Sequence, residues 1–274
     1  VIVVTGSTKG IGRGVAEVIA SEGATTIVTG RTVAAGQAVK KEIADRGGSV
    51  AFIPADLTQE DQVEALASQV FERYGRLDGL VNNAAAVDQI ASWEAPITEL
   101  PLENWNSFLE SNLTSVFLAS KHCMRRMLEA GNGGSVVNIS SIIGYRGGQG
   151  WTGYPTTKGG IIALTKSVAA YYGRYDIRCN TLTIGWIQKP EDSTPERAKA
   201  LEQFNFAPYQ LGLSGEASDC GWAAVYLLSD ESKFITATNL PIDGGWSELV
   251  HAPNPRGGRD LPEYKRKRPA APEF

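Results

Sequence analysis

Two histidines, three cysteines and two methionines among 274 residues leave little material for soft-metal or disulfide chemistry. Cys123, Cys179 and Cys220 form no CxxC pair, and their odd number closes no disulfide framework, which suits a reducing compartment. No metal site is expected, since any such chemistry would have to rest on carboxylates alone. Long hydrophobic runs are missing too: nothing reaches the roughly 18 apolar residues that span a bilayer. Nor does anything resemble a signal peptide, because the chain opens on the strand-like run Val1 to Val4, so a cytoplasmic location is expected. Charge of one sign is equally scarce. The 26 basic and 30 acidic residues give a net charge of -4, too even a balance to attract nucleic acid or an anionic membrane.

What the chain does have is glycine, 30 residues or about 11% against a usual level of about 7%. Its 42% hydrophobic content is ordinary for a soluble domain with a sizeable core. Short, uninterrupted, β-branched runs recur at Val1–Val4, Thr26–Thr29, Val50–Ile53, Gly79–Val81 and Ser135–Ile139. Such runs read as strands buried on both faces. Helix-period segments separate and follow them: Gly12–Gly23, Val33–Arg46, Glu60–Tyr74, Asn104–Ala130 and Thr157–Tyr172. Arg178–Leu182 and Asn239–Asp243 add two strands, with a helix over Ser218–Leu228 between them. The alternation predicts an α/β fold, a doubly wound, Rossmann-like parallel sheet of about seven strands with helices on both faces. With no repeats and no linker midway, residues 1–249 form one domain. Residues 250–274, rich in Pro, Gly and charge, form a C-terminal extension.

The first strand runs into Thr5-Gly6-Ser7-Thr8-Lys9-Gly10-Ile11-Gly12, with a helix starting inside the loop. A glycine-rich turn into a helix lets bare N–H groups and the helix dipole meet a phosphate, so the loop reads as a pyrophosphate cradle. A tight turn without a ligand is the plainer alternative. Neither the literal GxGxxG spacing nor a Walker GK[ST] is present.

Loop form TGxxxGxG resembles that of the short-chain dehydrogenase/reductase family, and further motifs of that family follow in register to about residue 249. They are Asp56-Leu57, Asn82-Asn83-Ala84-Ala85, Asn112, Ser141 and Tyr154-x-x-x-Lys158. Three departures stand out: Ala85 replaces the last Gly of NNAG, Ile184-Gly185 replaces Pro-Gly, and Lys189 falls near the family's nicotinamide-anchoring Thr. The resemblance implies a nicotinamide dinucleotide bound by Gly6, Ser7, Lys9, Gly10, Ile11, Gly12, Arg31, Thr32, Asp56, Leu57, Asn83, Ala84, Tyr154, Lys158, Gly185 and Ile187. An enzyme for NAD places an acid at the end of the second strand, whereas one for NADP supplies a cation. By the resemblance Gly30 occupies the acid's position and Arg31 that of the arginine in NADP-preferring members; with Lys9 in the glycine loop, this points to NADP(H). Both cations could also be ordinary solvated charges. Asp56 would accept from the adenine amino group or cap the following helix.

Tyr154 and Lys158, four residues apart, share one helix face, provided Pro155 lies in the first turn. A phenol of pKa about 10 needs help to exchange protons at neutral pH. An ammonium about 4 Å away, at an effective dielectric near 20, favours the phenolate by roughly 4 kcal/mol, or about three pKa units before desolvation. A value near 7 is thus within reach of Lys158, aided by the positive nicotinamide when the cofactor is oxidised, and would suit Tyr154 as general acid in reduction and base in oxidation. By resemblance Ser141 holds the substrate oxygen, and Asn112 bends its helix and holds a water that bonds Lys158.

The pocket is expected around Val87–Trp93, Tyr145–Trp151 and Trp186–Leu213, with Trp93, Tyr145, Trp151, Trp186, Phe204, Phe206 and Tyr209. A bulky, largely apolar or cyclic ketone or secondary alcohol suits that lining, and several of these aromatics would equally pack a lid. Arg146 or Lys189 would instead bind a carboxylate. The reaction implied is hydride transfer between nicotinamide and carbonyl carbon. The alternatives are an epimerase or dehydratase on the same fold, and a non-catalytic NADP-binding sensor or scaffold. The family implies a homotetramer or homodimer, and the tail would cover a neighbouring pocket or lie on the surface.

Overall fold

The computed structural model describes residues 1–188 and 214–248. Lys189, Phe204, Phe206, Tyr209 and the extension 250–274 lie outside the described residues. The elements run β1 (Ile2–Val4), α1 (Gly10–Ser21), β2 (Thr26–Gly30), α2 (Val33–Asp45), β3 (Val50–Pro54), α3 (Glu60–Tyr74) and β4 (Gly79–Asn82). Then come α4 (Ile90–Trp93), α5 (Leu102–Phe108), α6 (Ser115–Ala130), β5 (Gly134–Ser141), α7 (Ile142–Arg146) and α8 (Gly153–Tyr172). The series closes with β6 (Ile177–Ile184), β7 (Ile187–Gln188), β8 (Gly215–Glu216), α9 (Ala217–Leu228) and β9 (Asn239–Ile242).

Seven strands pair in the order β3-β2-β1-β4-β5-β6-β9, all parallel, while β7 and β8 form a separate two-stranded ladder. Successive side chains point to opposite faces of each strand, so neighbouring residues belong to different cores. Val3, Ile27, Leu80 and Val136 pack beneath α3, α6 and α8. Val4, Val28, Val81 and Val137 pack on the other side, against α1, α2 and α9. Burial on both faces explains why these strands are continuous apolar runs.

The strand order reverses between β1 and β4, and in an open α/β sheet such a switch point sets the ligand crevice beyond the carboxyl ends of both strands. The single helix expected over Asn104–Ala130 is instead α5 and α6 joined by a π turn at Leu109–Thr114, the local bend expected at Asn112. The helix expected from Thr157 begins at Gly153, which brings Tyr154 and Pro155 into its first turn. Among the described residues no helix is long and apolar enough to cross a membrane.

Candidate active site

The crevice is framed by the two loops that meet across it. Gly6 and Gly10 adopt positive φ (61° and 57°), a conformation that costs glycine nothing. A Cβ on Gly12 would stand 2.3 Å from Asn83 Nδ2 and 2.5 Å from Gly6 O, so only glycine lets α1 start this close to the loop. Asn83 ties the loop to the β4 end: Nδ2 donates to Thr5 O (2.9 Å) and Gly6 O (3.2 Å). Thr5 Oγ1 in turn accepts the N–H groups of Asn83 (2.9 Å) and Ala84 (3.1 Å). Ser7 belongs to this frame, since its N–H donates to Thr29 O, its hydroxyl donates to Val4 O, and its Oγ accepts the Thr29 N–H. The N-terminus of α1 carries no side-chain cap, leaving Gly10, Ile11 and Gly12 to present backbone to the crevice. A rigid, glycine-lined rim at a helix N-terminus fits the pyrophosphate of a dinucleotide.

Around that rim, Arg31 and Thr32 follow β2, with Arg31 exposed and in no hydrogen bond or ion pair with a described residue. A Cβ on Gly30 would stand 2.9 Å from Thr8 Cγ2, so Thr8 fills the space an acidic side chain would enter. Lys9 forms an exposed ion pair with Asp88, from the segment after β4. Asp56 does not cap α3, whose N-cap is Gln59; its Oδ1 instead accepts both the N–H (3.0 Å) and the hydroxyl (2.9 Å) of Thr58 in a local turn, and Leu57 beside it is buried. Gly185 donates its N–H to Ile242 O, and buried Ile187 pairs in β7, carrying the chain past the crevice.

Ser141, Tyr154 and Lys158 come together at the mouth of this crevice. Ser141 ends β5, its Oγ accepts the Ile143 N–H at 3.4 Å, and it favours ionisation of the Tyr154 phenol. Lys158 Nζ donates to Ile139 O at 2.9 Å and lies 5.6 Å from the centre of the Tyr154 ring. Asn112, fully buried in the π turn, accepts the Ala86 N–H at 2.8 Å. Its amide donates to Thr157 Oγ1 at 3.5 Å, one residue before Lys158.

The electrostatics correct one expectation. The Tyr154 phenol is not lowered toward 7; burial pushes it up to about 12, opposed by the hydrogen bond from Ser141. Burial likewise lowers Lys158 from 10.5 to about 8. The expectation took an ammonium about 4 Å from the phenol and postponed desolvation; here Lys158 Nζ lies 5.6 Å from the ring centre, and burial is the leading cause of both shifts.

Glu94 carries no mark of its role in the local sequence. Its carboxylate accepts the N–H groups of Thr152 (2.7 Å), Gly153 (3.2 Å) and Tyr154 at the start of α8. Nor was the polar chain beneath the site foreseen, in which Asn82 bonds Ser120 and Asn138, and Asn138 bonds Thr165. Both depend on partners far apart in sequence, and local spacing carries no signal of them. Of the expected pocket aromatics, Trp151 meets Tyr154 edge-on with centroids 6.3 Å apart, whereas Trp93 packs on Phe108. Tyr145 and Trp151 are exposed.

Comparison with known proteins agrees with this geometry. A family model described as enoyl-(acyl carrier protein) reductase matches residues 6–247. A 2,5-dichloro-2,5-cyclohexadiene-1,4-diol dehydrogenase of Sphingobium indicum is 34% identical, covering 90% of this chain and 97% of its own. A 3-oxoacyl-(acyl-carrier-protein) reductase of Chlamydia muridarum is 33% identical, covering 89% and 95%. Among solved structures, a variant of actinorhodin polyketide ketoreductase with NADPH superimposes with a TM-score of 0.80 at 30% identity, over 90% of this chain and 97% of that one. With the glycine loop, the Ser-Tyr-Lys cluster and the parallel sheet all in register, the chain belongs to the short-chain dehydrogenase/reductase family, oxidoreductases that work with a nicotinamide cofactor.

Proposed function

We propose that the protein is an NADP(H)-dependent oxidoreductase that interconverts a secondary alcohol and its ketone, on a substrate that is bulky, largely apolar and cyclic. The observation that carries this reading is the meeting of Ser141, Tyr154 and Lys158 beside a glycine-lined cradle. When bound, the nicotinamide supplies or accepts the hydride. The chain manages the oxygen and its proton. Ser141 orients the substrate oxygen against the Tyr154 hydroxyl, which gives up its proton in reduction and regains it in oxidation. Lys158, held by Ile139 O, stabilises the phenolate formed in the first direction. Asn112 is the relay residue, fixed by its bonds to Ala86 and Thr157.

Three observations support NADP(H) over NAD(H). Thr8 occupies the space where a carboxylate would meet a ribose, Arg31 is exposed beside it, and a structural neighbour is a ketoreductase with NADPH. Lys9 would join Arg31 by exchanging its exposed partner Asp88 for a 2'-phosphate, an exchange such solvated pairs permit. The cyclic substrate is supported by the aromatic rim of Tyr145 and Trp151 and by the relative that acts on a cyclohexadienediol. A homodimer or homotetramer is consistent with the exposure of Tyr226 and Phe234. Fluorescence titration with NADPH and NADH tests the cofactor choice: NADPH should bind more tightly, and Arg31→Ala should narrow the gap. Tighter binding of NADH would overturn it.

A further inference from the structure

We propose that Glu94 is a positioning residue for Tyr154, a carboxylate from the segment after β4 that fixes the first turn of α8 and thereby the direction of the phenol. The proposal rests on the reading of Tyr154 as the acid and base.

A helix leaves its first four N–H groups without partners inside the helix. For α8 these belong to Thr152, Gly153, Tyr154 and Pro155, and Pro155 has no N–H to satisfy. The remaining three all donate to one carboxylate: Thr152 and Gly153 to Glu94 Oε2, and Tyr154 to Glu94 Oε1. No side chain of the helix itself competes for them, because the Thr152 hydroxyl is turned away and donates to Ala95 O at 2.9 Å. Bonds to two neighbouring residues therefore pin the stretch 152–154 to the stretch 94–95. One of the pinned amides is that of Tyr154.

An acidic side chain 60 residues earlier in the sequence thus does the work that a local Ser, Thr or Asp does at most helix starts. Its location gives it a further consequence. Glu94 directly follows α4, and the same segment carries Asp88, whose carboxylate pairs with Lys9 of the glycine loop. The short stretch 88–94 therefore connects the cofactor cradle to the helix that presents the catalytic phenol.

The test uses the full chain, with Glu94→Ala, Glu94→Gln and, as a control on the same segment, the exposed Glu99→Gln. If Glu94 positions the phenol, Glu94→Ala lowers kcat by on the order of 10- to 100-fold, as misplacement of a reacting group does, while NADPH affinity stays within about 2-fold. Glu94→Gln, which keeps one acceptor oxygen, recovers part of kcat. Independently of turnover, hydrogen exchange at Gly153 and Tyr154 quickens in Glu94→Ala and not in Glu99→Gln. Equal kcat in the parent and Glu94→Ala, or unchanged exchange at those amides, overturns the proposal. A parent that reduces no carbonyl with either cofactor refutes the oxidoreductase reading instead, and the exchange experiment then decides the capping role alone.

Discussion

The buried ammonium of Lys158 should make the cofactor-free protein less stable at neutral pH than at mildly alkaline pH, through a contribution that one substitution isolates. Lys158 is 3% exposed, and burial lowers it from 10.5 to about 8. A lysine lowered on folding means the unfolded chain binds more protons in the interval between the two values, so stability rises with pH across it. At about 1.36 kcal/mol per unit, holding the charged form costs the folded state about 3 kcal/mol at pH 7 and about 2 kcal/mol at pH 9. Lys158→Met removes this cost and also forfeits the bond to Ile139 O, a loss that does not depend on pH. The assay is urea unfolding of parent and variant, stripped of nucleotide, at pH 7, 8 and 9. The stability of the variant relative to the parent should fall by roughly 1 kcal/mol over that range, whatever its starting value. Tyr154 does not disturb the comparison, since burial raises it to about 12 and both proteins contain it. A difference that stays constant with pH would show that Lys158 titrates alike in the folded and unfolded chains, and one that grows would show its folded pKa raised; either refutes the cost of burial.

Two further substitutions probe the frame of the site. Gly12→Ala places a Cβ 2.3 Å from Asn83 Nδ2 and 2.5 Å from Gly6 O, and should destabilise the fold by about 1–3 kcal/mol while weakening NADPH binding in a fluorescence titration. Parental affinity and stability would contradict the close packing of α1 on the loop. Asn112→Ala leaves the Ala86 N–H without its acceptor and should cost about 1–3 kcal/mol in urea unfolding, and parental stability would contradict that role.

Much of the fold was legible in the chain because a parallel sheet covered on both faces writes itself as unbroken apolar runs. No alternation of apolar and polar residues was needed to find the strands: the stretches ending at Val4, Thr29 and Val81 each extend or shift by only a residue or so in the structure. The cluster of Ser141, Tyr154 and Lys158 was legible for a different reason: the family resemblance singled those residues out, and helical spacing put Tyr154 and Lys158 on one face. Quantities set by distant packing were not legible. The proton affinity of Tyr154 depends on how completely other elements bury it, and the cap on α8 depends on a glutamate in another loop. The pairing of Lys9 with Asp88 similarly joins residues 79 apart, and the short α4 and α7 lack the length over which a helical period declares itself.

In the proposed reaction Tyr154 moves the proton while the nicotinamide moves the hydride. This division of labour is best tested by steady-state turnover of a panel of cyclic ketones and secondary alcohols, followed at the NADPH absorbance band, for the parent and Tyr154→Phe. The parent should show NADPH-dependent turnover, and the variant should lose about 10²- to 10⁴-fold in kcat with NADPH affinity unchanged. Turnover by Tyr154→Phe at the parental rate would rule out Tyr154 as the proton donor and acceptor.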